Sequence, residues 1–424
     1  MTEFASRGVI AIANSFAVVV RLCCALVVTK ILAVYLGPSG LAVTANVLNA
    51  LNISGTLSGG YLGQATTKVV AGYREVSPTV LRLKVFNIWL KIALPVALIT
   101  SAIMAFTISS LQLEIPYFSG FAVLFYTLLL SLILSFNLLL LGLFAGEGYY
   151  YYNITSLTAF SVFQVVFAYL FVATLGVSGF ILAFFLSALA TFLLNIFLLY
   201  KTERSSQTLS QELKVDFPST LDHEVKKIGL ASLFSLLSVP LVYLTLRSGT
   251  IFIYGEVEAG FLQATWRLSD AYLLAFSSFF SLILLPELSR SGTIFEAKEI
   301  LFKFIKFSLL IYLIMCGCLM MIADDLIHVL FSREFYFVVE LMPFQLIGDG
   351  FKLFNIAVGF FLISRGMIKN YLIVEGFCSV AIVILAGLLS MQFDFISVVV
   401  AHVIVSFLGS LLCIFYLSRA ETQI

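Results

Sequence analysis

Two opposite charges lie close together inside an otherwise apolar segment, FQLIGDGFKLFNIAVGFFLISRG, at residues 344–366. Asp349 and Lys352 are three residues apart, and Gln345 lies one helical turn before Asp349. On a helix, positions i, i+4 and i+7 fall within about 40° of one face, so these side chains form a polar stripe. A charge at the bilayer centre costs at least about 2.5–3.5 kcal/mol on insertion scales. The stripe therefore faces a helix-bundle interior or a water-filled cavity.

Two further apolar segments carry polar stripes of the same kind. Gln263, Arg267 and Asp270 repeat the spacing with the order of the two charges reversed. Asn46 and Asn49 lie on one face of an earlier segment. Three stripes favour a hydrated cavity whose side chains bind a substrate. The candidate substrate-binding residues, with Arg21 of the first segment added, are Arg21, Asn46, Asn49, Gln263, Arg267, Asp270, Gln345, Asp349 and Lys352.

The charges near mid-span indicate the sign of that substrate. They comprise the bases Arg21, Lys30, Lys91, Arg267 and Lys352 and the acids Asp270, Asp349 and Glu375. Five bases against three acids favour an anionic substrate, and the three acids are candidates for proton coupling. Each base of the two close pairs would be held by its acid until the anion competes for it. The alternative is that the two acid–base pairs, each with its members three residues apart, are ion pairs that serve only to hold helices together.

The composition places these segments in a membrane. The chain is 61% hydrophobic and 11% charged, with mean hydropathy +1.09, and apolar runs of spanning length recur throughout. We predict an all-α integral membrane protein with twelve transmembrane helices. They lie at about 8–35, 40–66, 85–110, 117–145, 150–175, 177–200, 228–247, 259–285, 304–323, 337–363, 370–390 and 395–418.

Charge in the loops predicts the orientation of the chain. An N-terminus in the cytoplasm places most loop Lys and Arg inside and leaves only Arg247 and Arg333 outside, as the positive-inside rule requires. An even number of spans puts the C-terminus on the same side. The net charge of +1 gives no basic field for nucleic acid. The six cysteines fall in or at the ends of apolar segments and are read as small hydrophobes, so no metal or cofactor is expected.

The chain divides into two related halves. We predict an N-terminal six-helix lobe at 1–200, a polar cytoplasmic linker at 201–227 and a C-terminal six-helix lobe at 228–424. A shift of 218 residues pairs Asn137 with Asn355 and Gly148 with Gly366. Six spans in each half predict a parallel repeat about a pseudo-two-fold axis along the membrane normal, with substrate sites near mid-membrane.

Several stretches resemble a known family of transporters. They are ILAVYLGPSGLAVTANVLNAL, GGYLGQATTKVVAGYRE, RLSDAYLLAFSSFFSLILLPELSRS and FQLIGDGFKLFNIAVGFFLISRGMIKNYLIVE. The chain resembles the Wzx-type lipid-linked oligosaccharide flippases of O-antigen and enterobacterial common antigen synthesis. These belong to the multidrug/oligosaccharidyl-lipid/polysaccharide exporter superfamily. The resemblance covers most of the chain and implies two six-helix lobes that alternate access around a cationic cavity.

The resemblance also implies a cargo, a place and partners. The cargo is an oligosaccharide repeat unit on undecaprenyl diphosphate, moved from the cytoplasmic to the periplasmic leaflet of the bacterial inner membrane. Membrane lipids, a polysaccharide polymerase and chain-length proteins are the expected partners. An Arg or Lys supplies charge-assisted bonds to a diphosphate, which agrees with the basic stripes. The sequence has no ATP-binding motif, so energy would come from an ion gradient or from consumption of the product.

Two other functions remain as alternatives. A cation-coupled multidrug antiporter of the same superfamily would favour an acidic cavity, whereas the charges here are mostly basic. A membrane-embedded glycan polymerase would need a sizeable loop for its catalytic groups, and the outer loops are short. We therefore expect a transporter and not an enzyme.

Overall fold

The computed structural model describes residues 2–72, 78–110, 120–206 and 221–420. These residues form helices joined by short turns, and no strand occurs among them. The α-helices are α1 Thr2–Gly55, α2 Leu62–Gly72, α3 Pro78–Ser110, α4 Gly120–Gly146, α5 Tyr150–Ser206, α6 Leu221–Ile253, α7 Glu256–Phe279, α8 Leu285–Arg290, α9 Ile294–Met321, α10 Ala323–Leu330, α11 Val338–Ser364, α12 Ile368–Ser390 and α13 Ser397–Arg419. Short π-helices at Thr56–Gly60 and Phe280–Leu284 join α1 to α2 and α7 to α8, and a 3-10 turn at Arg333–Phe335 precedes α11.

The number of spans follows from two kinks. Ten helical stretches in the described residues are long and apolar enough to cross a membrane, but two of them have 60 and 53 residues. Gly37, with φ 66°, interrupts the first, and Gly176, with φ 59°, interrupts the second. Glycine adopts this left-handed conformation at little cost, and Pro38 suits the first turn of the helix that follows Gly37. Dividing both stretches at these glycines gives the predicted twelve spans, so the predicted fold class is confirmed.

The described chain packs into two compact units. Unit 1 comprises Met1–Ile31 and Thr44–Leu241, and unit 2 comprises Leu32–Val43 and Val242–Ile424. In unit 2, the carbonyl of Pro38 lies so close to Gly260 that a Cβ there would overlap it, which explains the glycine at this contact. The central part of the predicted linker, 207–220, lies outside the described residues, whereas its ends belong to α5 and α6. The lobe boundaries proposed from the sequence stay a prediction.

Equivalent hydrogen bonds relate the two halves of the chain. In unit 1 the amide of Asn137 donates to the carbonyl of Ala188 at 3.1 Å. In unit 2 the amide of Asn355 donates to the carbonyl of Ser406, also at 3.1 Å. Both residues of the second bond lie 218 positions after those of the first, the shift predicted from the sequence. An amide on the fourth helix of each half thus binds the sixth helix.

Each half also fixes the end of its fourth helix with a charged group. In unit 1 the guanidinium of Arg82 binds Glu147 at 2.5 Å and donates to the hydroxyl of Thr202 at 3.0 Å. In unit 2, Arg365 donates to the carbonyl of Leu288 at 2.9 Å and also binds Ser291. Glu147 and Arg365 are 218 residues apart, so the position is equivalent while its charge is opposite.

The Asn355 bond yields a test of the repeat. Replacing Asn355 by Ala removes its bond to the Ser406 carbonyl and the bond it accepts from the Ser410 hydroxyl, both on α13. We expect the free energy of unfolding to fall by about 0.6–1.7 kcal/mol for each bond, the range for interhelical hydrogen bonds in membranes. Asn137→Ala should have a similar effect, and the control Asn52→Ala, at an exposed position, should have almost none. Denaturation in detergent measures all three. An unchanged stability of both repeat variants would show that these bonds do not hold the bundles.

Candidate functional site

Unit 2 contains a carboxylate that is fully buried and bound by four side chains. Asp349 of α11 has an exposed fraction of 0%. Its Oδ2 accepts from the hydroxyls of Ser269 and Tyr272 of α7, each at 2.5 Å. Its Oδ1 contacts Nε2 of His402 of α13 at 2.9 Å, and the amide of Gln345 donates to both oxygens at 3.1 Å. Three helices therefore converge on one negative charge.

Small residues make room for this network, which we call the Asp349 cluster: Asp349, Ser269, Tyr272, Gln345 and His402. Gly348 precedes the aspartate, and a Cβ at that position would overlap the His402 ring. The glycine thus allows α13 to bring its imidazole against α11. Burying an ionised carboxylate is costly unless donors surround it. The convergence of donors from neighbouring helices is what this cost requires.

A second cluster in unit 2 surrounds a buried arginine. Arg247 of α6 is 1% exposed and donates through Nη2 to Oε1 of Gln263. Its guanidinium lies 5.6 Å from the centroid of the Trp266 ring, within cation–π range. Tyr243 stacks on Trp266 with centroids 4.6 Å apart, and its hydroxyl donates to Oδ1 of Asp270 at 3.0 Å. We call these residues, together with Arg267, the arginine cluster.

Arg267 carries a buried donor without an acceptor among the described residues, as Arg247 also does at its Nε, but it makes no hydrogen bond there like that of Arg247 to Gln263. Its Nε is buried, and no hydrogen-bond acceptor for it occurs within the part of the chain that the structure describes. The guanidinium is also close enough to that of Arg247 for the two charges to repel each other. A buried donor without a partner is costly. The position is therefore suited to an anionic oxygen supplied from outside the chain.

Both ion pairs predicted from the sequence are absent from the structure. Asp349 does not pair directly with Lys352, because donors from α7 and α13 occupy its oxygens. Asp270 does not pair with Arg267 among the described residues, since Tyr243 of the preceding helix binds its carboxylate. Spacing within one helix predicts which side chains share a face. It does not predict the donors of neighbouring helices, and these are the groups that bind both carboxylates here. The hypothesis that each acid holds its neighbouring base is wrong in that form.

Lys352 and Glu375 lie at the margin of the Asp349 cluster. Over the described residues, Lys352 forms neither a hydrogen bond nor a direct ion pair, and its ammonium attracts the carboxylates of Asp349 and Glu375 at longer range. Both side chains are half-buried. Lys352 therefore remains available to an additional anion.

The other predicted residues lie in unit 1. Arg21 is half-buried, and its Nε donates to the carbonyl of Ala17 on its own helix at 3.4 Å. Asn46 and Asn49 are half-buried on α1, and Nδ2 of Asn49 is a buried donor that lacks an acceptor among the described residues. The six remaining candidates, Gln263, Arg267, Asp270, Gln345, Asp349 and Lys352, all belong to unit 2. Their role as substrate ligands stays a prediction.

Sequence reasoning missed several residues of both clusters. Arg247 was expected in an outer loop, but α6 continues to Ile253 and buries it; that prediction is wrong. A single arginine after an apolar segment is typical of the end of a membrane span. The signal that could have shown its burial is Gln263, a polar residue of the next helix to which Arg247 donates. His402 was not among the predicted site residues. The structure brings its Nε2 to the fully buried carboxylate of Asp349.

The contact between His402 and Asp349 predicts a measurable coupling. We expect His402→Ala to lower the free energy of unfolding by about 1.5–3 kcal/mol, since a hydrogen bond to a charged group is lost. The control His328→Ala, at an exposed position, should change it little. A cycle with Asp349→Asn and the double variant isolates the pair, and strict additivity would contradict a direct interaction in solution.

No family model matches the chain. It is similar to the lipid III flippase of Escherichia coli (strain K12), with 27% identity over 359 residues that cover 84% of this chain and 85% of the relative. The lipid III flippase of Shigella flexneri gives the same identity and coverage. The resemblance drawn from the sequence is thereby confirmed.

Solved structures share the fold over almost the whole chain. An inward-facing multidrug resistance MATE family transporter of the MOP superfamily has a TM-score of 0.72 and 17% identity, covering 97% of this chain and 99% of its own. A MOP superfamily transporter from Pyrococcus furiosus, described as having a binding pocket of reverse polarity, has a TM-score of 0.61 and 17% identity, covering 96% and 97%. The chain is a multi-pass membrane protein with the fold of this superfamily.

Proposed function

We propose that the chain is a flippase for lipid-linked oligosaccharides. Its cargo would be a repeat unit on undecaprenyl diphosphate, of the O-antigen or enterobacterial common antigen type. Movement would run from the cytoplasmic to the periplasmic leaflet of the inner membrane by alternating access, with both termini in the cytoplasm. The similarity to lipid III flippases supports this cargo class, and the relatives are transporters, which supports a function without catalysis.

The observation that carries the proposal is the unsatisfied guanidinium of Arg267. Arginine binds phosphate oxygens through two parallel hydrogen bonds and is poorly replaced by other bases for that purpose. Here the Nε of Arg267 is buried without an acceptor among the described residues, while a second arginine repels it. A diphosphate would satisfy the donor and relieve the repulsion. A cationic drug would do neither.

Polar groups near these bases suit the rest of the cargo head. Lys352 supplies a compact cation that Asp349 does not hold directly. The Asn and Gln side chains of the stripes can donate to and accept from sugar hydroxyls. Trp266 and Tyr243 add stacked rings beside Arg247. The lipid tail need not enter this polar region, because it is soluble in the surrounding bilayer.

The Asp349 cluster is the best candidate for proton coupling. Asp270 is bound by Tyr243, and among the described residues Glu375 has Lys352 as its one charged partner, at longer range. Asp349 instead contacts Nε2 of His402, and an imidazole is a side chain that can accept and release a proton. A proton arriving on His402 converts its neutral ring into an imidazolium that the buried carboxylate stabilises. When the proton leaves, that contact between α11 and α13 weakens, which gives a gradient a way to act on the packing of unit 2.

Arg267 provides the main test of the cargo. In liposomes loaded with an undecaprenyl-diphosphate-linked oligosaccharide, we expect Arg267→Ala to weaken cargo binding about tenfold or more, since a charge-assisted hydrogen bond contributes about 1.5–3 kcal/mol. The protein should still insert and fold. Arg290→Ala, at an exposed position, is the matched control and should leave flipping unchanged.

The same liposomes separate the flippase from the antiporter alternative. If the wild-type protein exports a cationic dye against a cation gradient and fails to move the oligosaccharide lipid, the proposal is wrong and the chain is a drug antiporter. Movement of the lipid that Arg267→Ala leaves intact would contradict the role given to this residue, but not the cargo.

Proton coupling has its own test in vesicles with an imposed pH gradient. We expect Asp349→Asn and His402→Gln to lose most of the stimulation of transport by the gradient, because each removes one member of the pair proposed to carry the proton. Asp270→Asn and Glu375→Gln should retain it. A gradient response that survives in the first two variants, or is lost only in the last two, would assign coupling to another group.

A further inference from the structure

An apolar groove runs along unit 2 between α9, α11 and α13. It has a volume of about 530 Å³, and its wall includes Leu309, Leu313, Ile347, Phe351, Leu411 and Ile414. Nearly all of its lining atoms are apolar. A cavity of about 150 Å³ can hold a benzene molecule, so this groove has room for a substantial length of hydrocarbon chain.

The groove is open on the side that faces lipid. Leu313, Ile347 and Ile414 are 59%, 55% and 52% exposed, although all three belong to membrane-spanning helices. In a bilayer, such side chains meet hydrocarbon and not water. An occupant would therefore come from the membrane as a hydrocarbon chain.

A fixed aromatic floor keeps the groove open. Tyr312 of α9 is 2% exposed, and its hydroxyl donates to the carbonyl of Leu346 of α11 at 2.5 Å, which fixes the ring between the two helices. Gly350 faces that ring, and a Cβ at this position would lie 3.3 Å from it. A larger residue at 350 would narrow the groove. Five aromatic rings line it, those of Phe280, Tyr312, Phe351, Phe354 and Phe407.

The groove and the Asp349 cluster share one wall. The Tyr312 ring packs near that of Tyr272, with centroids 6.1 Å apart, and Tyr272 donates to Asp349. Helix α11 carries Gln345, Asp349 and Lys352 on one face, and on the other it presents Ile347, Phe351 and Phe354 to the groove. The same helix therefore offers a charged surface on one side and a chain-sized apolar surface on the other.

We propose that this groove binds the polyprenyl tail of the lipid-linked cargo. The inference rests on the proposed function, and it adds a tail site to the head site at the arginine cluster. Two features favour the cargo's own tail over a phospholipid acyl chain. The groove adjoins the polar centre through Tyr312 and Tyr272, and its rings can pack against the regularly spaced alkene and methyl groups of an isoprenoid. A C55 chain is long enough to pass around α11 while its diphosphate remains on the polar face.

Chain length gives a direct test with two simple probes, undecaprenyl diphosphate and geranyl diphosphate, whose binding is measured on the full-length protein in nanodiscs. The wild type should bind the C55 probe more tightly than the C10 probe. Ile347→Trp, which fills the groove, should remove most of this difference while leaving the C10 affinity unchanged. Ile384→Trp, on α12 and 57% exposed, is a matched control outside the groove and should keep the difference.

Further variants separate the tail site from the head site and from misfolding. Leu313→Trp fills the groove from α9 and should reproduce the effect of Ile347→Trp. Arg267→Ala should weaken both probes about equally. If both probes bind and neither groove variant alters the dependence on chain length, the tail site is wrong and the proposed function stands. If neither probe binds the wild type, the proposed function itself fails.

Photolabelling decides between the polyprenyl tail and a phospholipid. A C55 polyprenyl phosphate bearing a diazirine near the chain end should label peptides of α9, α11 or α13 in the groove. Excess undecaprenyl phosphate should compete with this label, and excess phosphatidylethanolamine should not. Equal competition by the phospholipid would make the groove a general acyl-chain site and overturn the proposal.

Discussion

The site depends on one constraint, the free-energy cost of burying an ionised carboxylate inside a membrane-embedded helix bundle. Asp349 is completely buried, so its charge needs donors from the protein, since water and lipid cannot supply them there. Meeting that need brings α7, α11 and α13 to one point. The placement of Gly348 and the orientation of His402 and Tyr272 follow from the same need. The polar stripe of α11 is thus first an organiser of helix packing.

The repeat shows what distinguishes unit 2 from unit 1. Subtracting 218 from Asp349 and Tyr272 leads to Ser131 and Ser54, whose hydroxyls lie 2.8 Å apart in unit 1. The same two positions therefore hold a neutral hydroxyl pair in one half and a hydroxyl–carboxylate bond in the other. The shared amide bonds of Asn137 and Asn355 maintain the common packing. The equivalent position thus holds an ionisable group in one half and a neutral hydroxyl in the other.

The sequence predicted the number of helices and their polar faces, but not the side-chain contacts between helices. Periodicity and span length sufficed for twelve helices, because each membrane crossing imposes its own length of apolar chain. The spacing of Gln345 and Asp349 correctly placed both on one face, and they do hydrogen-bond. The partners of Asp349 from α7 and α13 could not be read in this way, since they depend on how helices distant in sequence pack. Arg247 was misplaced for a related reason: its burial depends on Gln263 and Trp266, which belong to the next helix.

The two clusters of unit 2 differ in how far the protein satisfies the hydrogen-bonding groups of their charged side chains. Both oxygens of Asp349 accept hydrogen bonds from the protein, so the protein alone satisfies its charge. Arg267 has fewer acceptors than a guanidinium needs, so the described part of the protein leaves it incomplete. An incomplete charged group is stabilised when a ligand of opposite charge arrives, whereas a satisfied group loses stability when the charge of one of its partners changes. This difference makes Arg267 the stronger candidate for cargo binding and Asp349, through His402, the stronger candidate for changing how the helices pack.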